Sequence, residues 1–108
     1  MVYLTDTLKI HGHTYKSGTF LLLCWSECVP TFCCIDKVLV IDNRKMFVVD
    51  MLETMEFTIV LSSYKVSQIN EKKIIPLNEL VNRWPLGGYC SDGDMYIVNR
   101  YSHFVELI

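Results

Sequence analysis

Four of the five cysteines of this chain fall within one short stretch, CWSECVPTFCC, positions 24 to 34. Thiols gathered this closely suggest a structural metal or a disulfide. A structural zinc needs four ligands converging on one point, usually as paired C-x2-C or C-x4-C knuckles. Here the order is C-x3-C-x4-C-C, which matches no such pair. Cys33 and Cys34 are neighbours, so on an extended chain their side chains leave on opposite faces. A fourth ligand would have to come from His11, His13, His103 or Cys90. The stretch is therefore expected to be strand, turn and strand, with cysteine as a small buried hydrophobe and no metal. A Cys24–Cys33 cross-strand disulfide is conceivable only in an oxidising compartment.

Other chemical groupings are thinner. His11 and His13 have the spacing of a two-histidine clip, but no third ligand accompanies them. Cys90, His103 and an acid such as Asp92 or Asp94 supply the residue types of a nucleophilic triad. YCSDGD reads instead as a turn, with no small-residue elbow around the cysteine. The DGD triplet lacks the remaining oxygen ligands of a cation loop, and Gly87–Gly88 lacks the lysine of a phosphate cradle. No catalytic residue, metal or cofactor is expected, and the chain is not read as an enzyme.

Aromatic residues are a further candidate. Tyr15, Phe20, Trp25, Phe32, Phe47, Phe57 and Tyr64 fall on or beside expected strands. Ring faces attract a methylated ammonium group, and Trp25, Phe32 and Tyr64 are the candidate ligand-binding residues. An aromatic-rich core is the simpler use of the same rings.

The elements that must position these residues are extended. Alanine, the strongest helix former, is absent, while Val, Ile and Thr make up 27 of 108 residues. Strands are expected over 3–10, 19–25, 31–41, 46–53, 57–67 and 95–101. Pro30, the polar run 42–45, NEKK (70–73) and SDGD (91–94) are expected to break or turn the chain. One short helix is expected within 78–84, with Asn78 as N-cap and Pro85 as its stop. The tail SHFVELI either extends the last strand or forms a short helix.

The run 31–41 is unusual because both of its alternating phases are apolar. One reads Phe32, Cys34, Asp36, Val38, Val40, and the other Cys33, Ile35, Lys37, Leu39, Ile41. A strand that bends near Asp36 and serves two walls would look like this. The expected fold is all-β and mainly antiparallel, a single domain over 1–108. It is a small five- to six-stranded barrel with one short helix before the last strand. Its expected core is Leu22, Ile35, Leu39, Val48, Ile59 and Ile97.

The order of the blocks HTYKSGTFLLL, PTFCCIDKVLVI, MFVVDMLET, IIPLNELVNRWPLGGY and MYIVNRYSHF resembles small barrel modules of the BAH-like and Tudor-like kind. It is also similar to an uncharacterised domain at the ends of transposon-related or zinc-finger-bearing animal proteins. The resemblance implies a small barrel and carries over no functional residue.

Charge and hydropathy narrow the function classes. Net charge is −2 with the ten basic residues dispersed, unlike the concentrated field that phosphate-backbone binding requires. The longest apolar run, FLLLCW, is too short to span a bilayer as a helix, so no membrane partner is expected. The amino end lacks a signal-peptide pattern, and the expected compartment is intracellular, nuclear or cytoplasmic. The expected function is a non-catalytic protein-interaction module of a larger protein, binding a peptide or partner domain. The alternative is a nucleic-acid-binding barrel using strand aromatics with Lys9, Lys16, Lys37, Arg44, Lys45 and Arg100. Because both phases of the 33–41 strand are apolar, either Val38/Val40 or Leu39/Ile41 should lie outside a narrow core. Self-association or docking through that strand is the expected consequence.

Overall fold

The structure, a computed structural model, describes residues 2–10, 12–26, 29–59, 63–80 and 85–98. Among the described residues nine strands run in chain order: β1 Val2–Thr5, β2 Thr7–Ile10, β3 His13–Lys16, β4 Phe20–Ser26, β5 Val29–Ile41, β6 Arg44–Thr58, β7 Ser63–Pro76, β8 Gly88–Ser91 and β9 Asp94–Val98. Every ladder is antiparallel, so the all-β reading holds. Seven strands form one sheet in the order β1-β5-β6-β7-β9-β8, with β4 also on β5; β2 and β3 form a separate hairpin.

The hairpin turns follow from the residues that tolerate positive φ. Asp42 and Asn43, at 48° and 67°, link β5 to β6, and Asp92 and Gly93, at 53° and 83°, link β8 to β9. Both are two-residue loops in the primed geometry that matches strand twist.

Several elements differ from expectation. The first expected strand divides at Asp6: β1 joins the main sheet and β2 leaves it. Pro30 lies inside β5, opposite Trp25, where the ladder to β6 has not yet begun. A proline there leaves one side of the strand unpaired in any case. NEKK does not reverse the chain. Residues 69–71 of β7 lie between the Leu52–Gln68 and Asp50–Lys72 pairs, with Asn70 at φ 55°, so the turn-like residues form a bulge within a continuing strand. Residues 54–56 likewise carry only a register shift within β6. At the start of the expected helix there is a single 3-10 turn, Leu77–Glu79, with Pro76 rather than Asn78 at its N-cap position. Residues 81–84 and the tail lie outside the described residues.

The central feature is one extra residue in β5. Ile35 lies opposite Val49, but Lys37 lies opposite Val48, so Asp36 is inserted into the strand. Side-chain direction alternates with period two, and an inserted residue reverses which phase faces a given side. Cys33 and Ile35 before the bulge, and Val38 after it, therefore share one core with Tyr15, Leu21, Phe47, Val49, Met51 and Leu80. Phe47 is fully buried beneath Tyr15, the ring centroids 5.3 Å apart. The β2–β3 hairpin supplies Tyr15, Leu8 and Ile10 as the lid of this core. The opposite face carries a second core of Phe20, Leu22, Phe32, Leu52, Val66, Leu86 and Ile97.

Among the expected core residues, Leu22, Ile35 and Ile97 are buried, while Leu39 and Val48 are only half-buried. Ile59 is 82% exposed, because it follows the last paired residue of β6 rather than lying within a strand.

The second core is enclosed by the curl of the sheet. Phe20 and Leu86 exchange two backbone hydrogen bonds, N–H to O distances of 3.2 and 2.8 Å, bringing the β4 edge to the segment entering β8. That single bridge is not a ladder, so the barrel expectation is corrected: among the described residues the sheet is strongly curled and not closed. Gly88 sits at the seam. A Cβ there would press on the Phe20 ring and lie 2.8 Å from the Tyr96 carbonyl oxygen. Gly88→Ala is expected to cost about 1–3 kcal/mol through this overpacking, read as a lower urea midpoint. An unchanged midpoint would show that the seam is not closely packed.

Candidate functional site

Cross-strand partners share a face, so the pairings locate every outward side chain near Asp36. Val2 is opposite Ile41, Leu4 is opposite Leu39, and Leu39 is opposite Met46. Val48 is opposite Ile74. Lys37, after the bulge, also lies opposite Val48. These residues occupy the same face as the second core, but further along the strands, beyond the curl. Val2, Leu4 and Ile74 are 62%, 60% and 58% exposed, and Leu39, Ile41, Met46 and Val48 are half-buried. None belongs to either core cluster. Among the described residues, four adjacent strands thus present an uncovered apolar face. At its hairpin end the face meets an open groove of about 630 Å³ lined by residues 43–46 and 76–79.

A transverse row of charge separates this face from the enclosed core. Lys72 donates to Asp50 at 2.6 Å and to Asp36 at 3.1 Å. Lys37 donates to Asp6 at 2.9 Å, where β1 gives way to the covering hairpin. These hydrogen bonds hold both ammonium pKa values above the ordinary lysine value, led by Asp50 for Lys72 and by Asp6 for Lys37. The pairs are exposed, so they fix position more than they add stability. Along β6 the residues of this face read Arg44, Met46, Val48, Asp50 and Leu52, passing from charge through apolar residues to charge and then core.

The aromatic candidates are placed differently from one another. Phe32 is buried in the second core, its ring 5.5 Å from Tyr64. Tyr64 also lies 4.8 Å from Phe57, and burial raises its phenol pKa. Trp25 is 46% exposed near the end of β4 and joins neither ring among the described residues. Phe32 and Tyr64 come together with Phe57, not with Trp25. A second aromatic pair, Tyr89 and Tyr96, stacks at 5.4 Å between centroids.

The cysteines divide as neighbours on a strand must. Cys33 lies in the first core, and Cys34 packs on the second. Cys24 lies opposite Thr31 and Cys33 opposite Leu21, so the ladder does not present these two cysteines as a disulfide pair. Cys28, His11 and His103 lie outside the described residues. Among the described residues no three His, Cys, Asp or Glu side chains gather as a metal would require, and no helix is long and apolar enough to cross a membrane. Compared with protein-family models, curated proteins and solved structures, the chain matches none.

The sequence showed that one of the two pairs, Val38/Val40 or Leu39/Ile41, should lie outside the core, but not which, and Leu39 was expected inside it. Val2, Leu4, Met46 and Ile74 were not identifiable, because their membership depends on register. The alternation Met46, Val48 along β6 was the available signal, but it could not say which side would be covered.

Burial, reinforced by the neighbouring Cys34 thiol, pushes the Cys33 thiol up to about 12 from an ordinary 9.0. The folded protein therefore holds a proton that the unfolded chain releases first. Stability from this site is complete below pH 9.0 and is lost as pH rises toward about 12. In urea titrations above pH 9.0, the midpoint of the wild-type protein is expected to fall faster than that of Cys33→Val. Equal slopes would place this thiol in contact with water.

Proposed function

We propose that the chain is a non-catalytic protein-interaction module of a larger intracellular protein, and that its uncovered apolar face receives a peptide or partner domain. The supporting observation is the continuity of that face: Val2, Leu4, Leu39, Ile41, Met46, Val48 and Ile74 lie together on adjacent strands, outside both cores. Contiguous exposed apolar surface of a few hundred Å² marks contact sites in soluble proteins. Charged residues at the margin supply the polar rim of such a site. The resemblance to BAH-like and Tudor-like modules is consistent with a binding role, and a nuclear or cytoplasmic setting accompanies that reading.

The stacked Tyr89–Tyr96 pair favours a second reading, nucleic-acid binding through aromatic platforms. Lys65, opposite Tyr96, is 3.4 Å from Asp94 and also opposite Glu56, which opposes attraction of a phosphate backbone. The apolar face is the stronger basis.

Selection from a displayed random-peptide library should enrich apolar sequences that bind micromolar or tighter. Leu4→Lys and Ile74→Lys should each weaken the selected peptides about tenfold or more, with an unchanged circular dichroism spectrum. Failure to enrich any peptide, or binding indifferent to both substitutions, would contradict the proposal. Steeply salt-dependent binding of a single-stranded oligonucleotide in its place would favour the second reading.

A further inference from the structure

The apolar face has a property that a generic docking surface does not need. Its residues along β6 read Arg44, Met46, Val48 and Asp50, with opposite charges at equal distances from Phe47. Such a row is complementary to its own reverse. A two-fold axis lying between two sheets, crossing β6 at the level of Phe47, would stack the strand antiparallel on its copy. Arg44 of each chain would then meet Asp50 of the other, and Met46 would meet Val48. The same operation reverses β5 and β7 against their copies, so that Ile74 meets Pro76, Leu39 meets the stem of Lys37, and Ile41 lies near Asp36 of the second copy.

The charges at the two ends are not balanced within one chain. Asp36 and Asp50 share the single ammonium of Lys72, leaving an excess negative charge at that end. Arg44, at the hairpin end, takes part in no ion pair among the described residues. We infer that this face is an isologous interface between two copies of the chain, packed sheet on sheet with Arg44 facing Asp36 and Asp50 of the second copy. Isologous self-complementarity is the requirement of a two-fold dimer. Aligned sheets pack about 10 Å apart, within reach of an arginine from either side.

Edge pairing does not offer the same fit. Among the described residues β9 pairs only with residues 63–66 of β7, and none pairs with the outer edge beyond Val66. That edge carries the bulge at Asn70 and the exposed Lys72 and Lys73, devices that oppose strand addition. Val2, Leu4 and Ile74 are each more than half exposed on this face, and a standard interface takes roughly 800 Å² from each partner. A dimer of micromolar affinity is the expected consequence.

This inference rests on the interaction-module reading, and one experiment separates the two. The full chain is sedimented over a micromolar concentration series beside Arg44→Asp, Asp50→Arg and the double variant, each checked by circular dichroism. Twice the 12.6 kDa chain mass is expected for the wild-type protein. Each single charge reversal should weaken the dimer about tenfold, and the double variant should recover most of that loss. Leu4→Lys and Ile74→Lys, at exposed positions, should give monomer even if the Asp50 variant fails to fold. A dimer insensitive to these two substitutions would overturn the assigned face, and failure of the folded double variant to recover would overturn the assigned register. A wild-type monomer that still binds library-selected peptides would overturn the second copy alone. A monomer that binds none would overturn the module reading as well.

Discussion

The structure depends on a single inserted residue, Asp36, in a strand whose two phases are both apolar. Without it, Ile35 opposite Val49 would continue to Asp36 opposite Val48 and Lys37 opposite Phe47. An ammonium would then enter the first core beside a fully buried ring, at a desolvation cost the fold could not readily offset. The bulge instead turns Lys37 outward to Asp6 and Val38 inward to Phe47. It also lies where the neighbour of β5 changes from β4 to β1. Ile35 still exchanges hydrogen bonds with Gly18 and Thr19, whereas Val38 already pairs with Thr5. The chain departs at this junction to form the β2–β3 lid and returns through Ser17, whose N–H bonds the Asp6 carbonyl at 3.0 Å.

The uncovered face follows from the same constraint. One face of the sheet is covered along most of β5 and β6 by the hairpin, Leu77 and Leu80. The other is enclosed only where the sheet curls to bring Phe20 to Leu86. Beyond the row of Asp36, Asp50 and Lys72 nothing among the described residues returns to cover it. Leu39, Ile41, Met46 and Val48 are therefore apolar on a surface, which a chain does not need for folding. In the proposed interaction module they are the residues a partner would cover.

The sequence made the strand content legible because alanine is absent and β-branched residues are abundant. It also located the bend, since Asp36 and Lys37 interrupt two apolar phases at one point. The hairpin turns at Asp42–Asn43 and Asp92–Gly93 were legible for a local reason: few other residues accept positive φ at both positions. NEKK has the same local chemistry but sits where β6 and β7 continue to pair on both sides, so tertiary pairing makes it a bulge. Most of the apolar face was equally hidden, because Leu39 and Val48 were expected in the core, and Leu4 and Ile74 join them only through register across three ladders. The expected aromatic grouping failed to anticipate Phe57 for a related reason. Register shifts within β6 decide which of its distal side chains lies beside Tyr64.

The most direct measurement of this account is the cross-strand register of β5 and β6 by nuclear Overhauser effects in solution. Backbone contacts are expected between Ile35 and Val49, between Lys37 and Val48, and between Val38 and Phe47, with Asp36 lacking a partner of its own. An uninterrupted register, with Asp36 opposite Val48 and Lys37 opposite Phe47, would contradict it.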